Sequence, residues 1–208
     1  MARPNAGTKG VPRADREEQI LAAATRTFGT LGYAATSVAA VAEQAGISKP
    51  LVYSYFGSKE GLFTETLRRT GEELAAEMER IARTGVVGLE RGLRTLEALF
   101  ELLEPQPWIW PLIFDPTAPD TGEVAAVRAT YTARITALAE EGVGELAALH
   151  GITDPLDVSA GVAVWMSMVD AIVDWWVDHP DQSAAAMTQR CARMFAAVAV
   201  ADLGSVLA

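Results

Sequence analysis

The sequence predicts an all-α fold, and three observations support that prediction. Apolar residues recur every three or four positions over most of the chain, which is the period of an amphipathic helix. No segment shows the alternation of apolar and polar residues that a half-buried strand requires. Half of the 208 residues are hydrophobic and 21% are charged, so the chain can bury a core and is not disordered.

The first helix is predicted to begin at Asp15, which forms a capping box with Glu18, and to end at Gly32. Its apolar positions form one stripe, which consists of Ile20, Ala24, Phe28 and Leu31. These spacings of four, four and three residues are typical of an amphipathic helix.

The second and third helices are predicted to be short. Thr36 and Ser37 can cap the second helix, which Gly46 ends. Ser48 caps the third helix, and Pro50 is tolerated there because the N–H groups of a first helical turn have no partner within the helix.

The fourth helix is capped by Ser58 and continues to Ile81, so it extends well beyond the short helices before it. A fifth amphipathic helix follows, with its apolar stripe at Leu89, Leu93, Leu96, Phe100 and Leu103. Five of the ten prolines then lie within residues 105–119. Proline removes a backbone donor and restricts the residue before it, so this segment is predicted to be a loop with at most a short helical piece.

Three further helices complete the prediction. The helical period resumes at Val124 and continues to Leu149. Asp154 precedes a proline and starts the next helix, which ends near His179. Asp181 is predicted to cap the last helix.

Charge is distributed unevenly along the chain. The whole sequence has 27 acidic and 17 basic residues and a net charge of −10, which argues against a nucleic-acid partner. Residues 1–60, however, hold seven basic and five acidic residues, a charge of +2, while the remainder carries −12. This asymmetry indicates either two modules with different surroundings or a chance fluctuation.

Several classes of protein are disfavoured by composition. Cys191 is the single cysteine, so an intramolecular disulfide and a cysteine-based zinc site are excluded. His150 and His179 lie near helix ends and have no metal-ligand spacing. No catalytic motif and no unbroken apolar run near 20 residues is present. We therefore expect a soluble cytoplasmic protein that is not an enzyme and has no catalytic residue, metal, cofactor or membrane partner.

Residues 36–56 form a helix-turn-helix pattern. Ala42 supplies the small residue where two helices cross, Gly46 the tight turn, and Val52 an apolar contact between the helices. Further apolar contacts come from Val38, Val41 and Ile47. Predicted caps on both sides place the two helix starts at the separation that this motif requires.

The same segment resembles the DNA-binding domain of the TetR family of bacterial transcriptional regulators. The matching residues span roughly 15 to 65 and consist of Phe28–Tyr33, Thr36–Val38, Val41–Phe56 and Ser58–Leu62. The resemblance implies a three-helix helix-turn-helix domain joined by a long fourth helix to an all-helical ligand-binding and dimerisation domain. It implies a homodimer that binds a palindromic operator and releases it when a small molecule occupies the second domain.

The third helix has barely two turns, so its N-terminal residues must reach the base edges. The exposed candidates are Lys49, Pro50, Leu51 and Ser54, with Ser48 at the helix start. Lys49 can donate to guanine, and Pro50 or Leu51 can contact a thymine methyl group. Leu51 departs from the small hydroxyl residue that is common in the family.

Other candidate residues would contact the phosphate backbone. Helix starts favour phosphate, which points to Thr36 and Ser37 and to Lys59 near the fourth helix. The resemblance adds Tyr53, which matches a phosphate-contacting tyrosine, and Tyr55, which lies where the family sometimes touches the backbone. Capping by Thr36, packing by Tyr55 and simple solvation of Lys59 are the structural alternatives.

The resemblance places the dimer interface on the last two helices, Leu156–Asp178 and Ser183–Leu203. Val158–Val169 is apolar on nearly every face, which requires burial on several sides. The last helix is rich in alanine, which permits close approach of helices. An ordinary monomeric core is the alternative.

An apolar ligand site is predicted where the proline-rich segment meets the central helices. Its candidate residues are Trp108, Trp110, Phe114, Tyr131, Trp165, Met168, Ile172 and Trp176. Such a stripe is also typical of an ordinary core. Asp170 and Asp174 share one helical face and would line the site, pair with arginine or face solvent.

The sequence as a whole predicts three parts: a flexible N-terminal arm (1–12), the helix-turn-helix domain (13–60) and a ligand-binding and dimerisation domain (61–208). We expect a repressor that an apolar or amphipathic small molecule releases from double-stranded operator DNA. An effector-independent or partner-regulated DNA-binding protein of the same fold is the alternative. A small helical enzyme or carrier is a third possibility, which would bind no operator.

Overall fold

A computed structural model describes residues 10–200, with side chains for residues 10–197, and this part of the chain holds nine helices and no strand. The all-α prediction is therefore confirmed. The helices are α1 (Arg13–Ala35), α2 (Val38–Gln44), α3 (Lys49–Phe56), α4 (Lys59–Ala82), α5 (Gly88–Leu103), α6 (Ile109–Ile113), α7 (Gly122–Leu149), α8 (Pro155–Val177) and α9 (Ala184–Val200). The predicted arm lies outside the described residues except for positions 10–12.

The chain divides into two compact units. Unit 1 comprises residues up to 72 together with 106–131, and unit 2 comprises residues 73–105 and 132 onward. Unit 1 thus combines the three N-terminal helices with the proline-rich segment and α6. The functional boundary predicted at residue 60 stays a prediction, because compactness does not define which residues bind DNA.

The starts of α1 and α2 differ from the sequence prediction. α1 begins at Arg13, so Asp15 lies in its first turn and does not cap it. Ser37 caps α2, because its Oγ accepts the Ala40 N–H at 3.1 Å. Thr36 does not cap, since its buried hydroxyl donates back to the Gly32 carbonyl at 2.8 Å.

Later helix starts follow the sequence more closely. Ser48 occupies the N-cap position of α3 but makes no side-chain cap bond. Ser58 accepts the Gly61 N–H at 2.9 Å, and Asp154 accepts the Leu156 N–H at 2.8 Å, as expected of caps. The Asp181 cap was wrong. α9 begins at Ala184, so Ser183 is the residue close enough to cap it and accepts the Ala186 N–H at 3.2 Å.

Two glycines set the geometry of the N-terminal helices. Gly32 interrupts α1 with φ of 77°, and Gly46 has φ of 66° in the turn between α2 and α3. Both values lie in the region that side chains disfavour, so glycine fits these positions. The helix end predicted at Gly46 is therefore confirmed, whereas Gly32 is a break within α1, which ends at Ala35.

The core of unit 1 is built on α1 and α4. Ile20 and Phe28 of α1 are fully buried, and the Phe28 ring lies 4.8 Å from that of Phe63 on α4. Leu31 was wrongly assigned to the buried stripe. It is 52% exposed, because it stands at the last position before the Gly32 break.

The proline-rich segment packs directly on α1 within unit 1. An added Cβ at Gly29 would lie 2.1 Å from the Trp108 carbonyl oxygen, so only glycine permits this approach. The carboxylate of Asp115, which is 4% exposed, accepts the Tyr33 N–H just after the Gly32 break. Thr117 Oγ1 accepts the next N–H, that of Ala34, at 3.1 Å. The segment therefore satisfies the backbone donors that the break leaves open.

The core of unit 2 joins α5, α8 and α9. The Phe100 and Trp176 rings meet edge to face at 5.2 Å, and Met187 and Cys191 of α9 are buried. Burial raises the pKa of the Cys191 thiol, as expected of a small core residue. The predicted α5 stripe was wrong at Leu89, which is exposed, because the buried face of α5 begins at Arg91 instead.

Helix α8 carries an exposed apolar surface. Among the described residues it is the helix that is long and apolar enough to cross a membrane, with mean hydropathy of 1.6 over 18 residues, of which 11% are buried. The prediction that excluded such a segment counted unbroken apolar runs only, and Asp170 and Asp174 interrupt this one. Leu156 and Val164 are 76% and 69% exposed in the single chain. Length and composition alone are weak grounds for a membrane span, and the face requires another explanation.

Candidate functional site

The α2–α3 pair forms the candidate reading unit. Val41 and Ala42 of α2 and Val52 of α3 are buried against one another's helices, as the motif requires. From α1, the Gln19 side chain donates to the Ala45 carbonyl at 2.6 Å, which is one of the open acceptors at the end of α2. α1 therefore holds the turn in place.

The N-terminal half of α3 faces solvent. Lys49, Pro50 and Ser54 are exposed, Leu51 is half-buried and Tyr53 is 39% exposed. The Lys49 ammonium lies 5.7 Å from the Tyr53 ring centroid, and the Ser54 hydroxyl donates to the Leu51 carbonyl at 2.7 Å. Ser37 and Ser48 are exposed at the two helix starts. The structure thus brings seven of the ten predicted DNA-binding residues onto accessible positions of one motif.

The other three predicted residues have partners within unit 1. Thr36 is buried, and its hydroxyl donates to backbone carbonyls. Tyr55 is half-buried, with the Arg13 guanidinium 4.8 Å from its ring centroid. The Lys59 ammonium donates to the Ala34 carbonyl at 3.4 Å and lies 4.3 Å from the Tyr33 ring centroid. These contacts favour structural roles for the three residues. Contact of the same residues with phosphate stays a prediction.

Two side chains of α1 help to position the motif, a role that was not predicted for either of them. Gln19 and Arg13 lie on α1, outside the helix-turn-helix pattern, and their partners are 26 and 42 positions away. Only the placement of two polar residues on the first turns of α1 hinted at them.

The predicted ligand-site residues divide evenly between the two units. In unit 1, the Trp110 and Phe114 rings lie 4.5 Å apart, and the Arg26 guanidinium lies 4.5 Å from the Trp108 ring centroid. Tyr131 is buried against Gly71, where an added Cβ would lie 2.5 Å from its ring. These residues have packed partners within their unit.

In unit 2, Trp176 is 5% exposed and its indole N–H donates to the Gln182 carbonyl at 2.7 Å. Trp165 is half-buried, with its ring 6.4 Å from that of Phe195. Met168 and Ile172 are also half-buried. Convergence of all eight residues on one ligand stays a prediction.

Unit 2 also contains a cleft of about 320 Å³ between the last turns of α4 and the middle of α5. Its charged lining consists of Arg80, Arg94, Glu97 and Glu101. Arg80 is bonded to Glu77 and Arg94 to Glu97, so both arginines already have acidic partners. None of the predicted ligand-site residues lines this cleft.

The remaining ionisable candidates have simple surroundings. Within residues 10–197, no group of three histidine, cysteine or acidic side chains could hold a metal ion. The His150 and His179 rings bond carbonyls four residues earlier, and so satisfy open acceptors near the ends of their helices. Asp170 and Asp174 are exposed on α8. Asp174 nevertheless loses some hydration to its neighbours, and this desolvation, together with the charges of Asp170 and Asp178, raises the pKa of its carboxyl.

Two short helices joined by a tight turn, with the second helix presenting exposed polar residues at its N-terminal end, define a helix-turn-helix DNA-binding protein. Residues 20–66 match the family model described as "Bacterial regulatory proteins, tetR family". The N-terminal segment of this chain is therefore a DNA-binding domain of the TetR type.

Known relatives extend the likeness beyond the motif. The transcriptional activator FasR of Mycolicibacterium smegmatis is 33% identical over 116 residues, which cover 56% of this chain and 53% of FasR. The chain thus matches about half the length of that relative.

Solved structures share the whole fold. FadR of Bacillus subtilis, in complex with stearoyl-CoA, is 19% identical with a TM-score of 0.67, covering 83% of this chain and 94% of FadR. AibR, in complex with isovaleryl coenzyme A and operator DNA, is 20% identical with a TM-score of 0.72, covering 86% and 97%. At these identities the likeness shows the fold alone.

Proposed function

We propose that this protein is a homodimeric transcriptional repressor that reads a palindromic operator through α3 and releases it on binding an acyl-type small molecule. The observation that carries the proposal is the exposed N-terminal half of α3, set on a motif that matches the family model. Its setting would be the cytoplasm, at the nucleoid when bound to DNA.

DNA reading is assigned to the exposed residues of α3. Lys49 is the charged one among them, and its flexible ammonium can reach guanine acceptors in a major groove. Tyr53 lies one turn further along with its hydroxyl end accessible for a phosphate. Unit 2 is strongly acidic, so it would disfavour non-specific attachment of DNA through that part of the chain.

Dimerisation accounts for the exposed face of α8. Leu156, Ala160 and Val164 recur every four positions, Ala171 follows two helical turns later, and all four are exposed in the single chain. A contiguous apolar face of this kind marks an interaction surface. A second copy of the same face would bury it and place two α3 helices on two half-sites.

The dimer can be tested with Val164→Asp. Sedimentation equilibrium should show a dimer for the wild type and a monomer for this variant. Each protomer would contribute one carboxylate to an apolar interface, and burial of these two charges is costly. Val87→Asp is the matched control, since Val87 is also exposed but lies outside α8 and α9. A dimeric Val164→Asp protein would contradict the proposed interface.

The effector class is suggested by the structural neighbours. FadR and AibR were solved with coenzyme A thioesters of a long and a short acyl chain. The apolar and aromatic residues of α8 would suit the acyl part of such a ligand. The long α4 passes from unit 1 into unit 2, so a ligand-driven change in α4 would alter the spacing of the two α3 helices.

An effector-independent regulator is the second candidate. Trp110 and Trp176, which were predicted to line a ligand site, are each 5% exposed with packed aromatic neighbours. Saturating acyl-CoA would then leave operator affinity unchanged.

The experiment that tests DNA reading is selection of bound duplexes from a random pool. The wild type should enrich a palindromic sequence, whereas Lys49→Ala combined with Tyr53→Ala should enrich none. Arg83→Ala is the control, because its side chain is 78% exposed and lies far along the chain from α3. A wild type that enriches no sequence would overturn the proposal.

A further inference from the structure

Arg91 of α5 is a buried cation in unit 2. Its side chain is 6% exposed, although arginine is rarely buried to this degree without full pairing. Its Nη1 donates to Glu141 at 3.1 Å and to Glu145 at 2.7 Å, both on α7. The two carboxylates are 53% and 34% exposed, so they lie on the solvent side of the guanidinium.

The second terminal nitrogen of Arg91 has no acceptor. Nη2 is fully buried and makes no hydrogen bond to any described residue. A buried donor without a partner is uncommon in folded proteins, because it loses its bonds to water and gains nothing in return. Attachment of α5 to α7 does not explain why a second donor is buried without an acceptor, since Nη1 already forms the bonds between these two helices.

The surroundings of Arg91 are shaped by glycine and by an aromatic side chain. On α7, an added Cβ at Gly142 would lie 3.3 Å from the Arg91 Nε, so glycine leaves room for the guanidinium. On α5, the neighbouring Gly92 faces the Trp165 ring, which an added Cβ would approach to 3.2 Å. Arg91 thus lies where α5 meets α7, one residue from the contact of α5 with Trp165 of α8.

We infer that Arg91 is the polar anchor of the effector site and that its Nη2 donates to a carbonyl or carboxylate oxygen of the ligand. The inference rests on the proposed effector response. An acyl thioester and a free fatty acid both present such an oxygen at the end of an apolar chain. Trp165 would then contact the apolar part of the ligand.

The test compares ligand binding by the wild type and two variants. Arg91→Met removes the guanidinium, and Arg91→Lys keeps the positive charge for Glu145 but removes Nη2. Arg83→Met is the matched control, because Arg83 is exposed. Calorimetry with stearoyl-CoA, isovaleryl-CoA and stearate separates thioester from free acid. Ligand-free unfolding temperatures are measured alongside.

We expect the wild type to bind at least one probe, and both Arg91 variants to bind it at least tenfold more weakly. Arg83→Met should bind within twofold of the wild type. The unfolding temperature of ligand-free Arg91→Lys should be close to that of the wild type, because Nη2 makes no hydrogen bond within the ligand-free protein. Wild-type affinity in both variants would overturn the inference, as would a wild type that binds none of the three probes.

Operator binding separates this inference from the proposed function. The ligand-free Arg91 variants should bind the selected operator as the wild type does. If they bind DNA and lose only the ligand response, both proposals hold. If the wild type binds a probe through Arg91 but no operator, the anchor stands and the regulatory function fails.

Discussion

Replacement of Asp115 tests how the proline-rich segment supports the DNA-reading motif. The Asp115 carboxylate accepts three hydrogen bonds, from the Tyr33 N–H, the Thr117 N–H at 2.8 Å and the Thr117 hydroxyl at 2.7 Å. Tyr33 stands directly after the break in α1 and four residues before the cap of α2. Asp115→Ala removes all three acceptor contacts without adding bulk.

The magnitude follows from the burial of the partners. A hydrogen bond to a charged acceptor contributes about 1.5–3 kcal/mol. Loss of the bond to the half-buried Tyr33 N–H should lower the free energy of unfolding by about 2 kcal/mol. Loss of the two bonds to the exposed Thr117 should lower it by about 1 kcal/mol, because water replaces part of them. We therefore expect Asp115→Ala to lower the free energy of unfolding by about 3 kcal/mol. Asp115→Asn keeps an acceptor oxygen and should lose about half as much.

Urea denaturation followed by circular dichroism measures this loss. Asp120→Ala is the matched control, because Asp120 is an exposed aspartate of the same segment. Operator affinity should fall in Asp115→Ala as well, because the segment that leads from the break in α1 to α2 loses a hydrogen bond that holds it in place. Neutral surface substitutions change the unfolding free energy by at most about 0.5 kcal/mol. A difference between Asp115→Ala and Asp120→Ala within that range would show that Asp115 does not stabilise the break in α1.

Three further predictions address base reading, packing and pH. Lys49→Ala should relax discrimination at one base pair by about 1–3 kcal/mol, whereas Tyr53→Phe should weaken all operators alike, as titration of an operator library would show. Gly144→Ala should stabilise α7 by about 0.5–1 kcal/mol, because an added Cβ meets nothing within 4 Å, whereas Gly29→Ala should destabilise by about 1–3 kcal/mol in thermal unfolding. The raised pKa of Asp174 means that its charged form destabilises the fold at neutral pH, so Asp174→Asn should raise the melting temperature at pH 7.

The controls for these predictions lie in the same experiments. Equal effects of the Lys49 and Tyr53 variants at every base pair would contradict their assignment to base and phosphate. A neutral Gly29→Ala would show that α1 and the proline-rich segment can separate without loss. The gain from Asp174→Asn should shrink as the pH falls through the raised pKa and vanish below the ordinary value of 3.8. A gain that is constant with pH would exclude a titration effect.

Local chemistry was sufficient to predict the helices and the reading motif. Gly32 marks a helix break and Gly46 a helix end through their backbone conformation. Ser37, Ser58 and Asp154 cap as expected. These features depend on residues within four positions of each other, which a sequence displays directly.

Contacts between distant segments were not predictable in the same way. The bond from Asp115 to Tyr33 spans 82 positions, and no local pattern indicates it. Apolar periodicity also misplaced Leu89, which is exposed in the first turn of α5 although three later residues of the same stripe are buried. The buried face of α5 is also wider than the predicted stripe, because Arg91 and Leu99 are buried as well. Burial of the arginine depends on carboxylates of α7 about 50 positions away, which no local pattern indicates.

The most direct test of the account is the affinity of the wild type for its selected operator, measured by fluorescence anisotropy with and without stearoyl-CoA. We predict two protomers per palindrome, binding about a thousandfold tighter than to a scrambled duplex at the same salt concentration. Saturating ligand should weaken that binding at least tenfold. Equal affinity for the operator and the scrambled duplex would contradict the central claim that α3 reads DNA sequence.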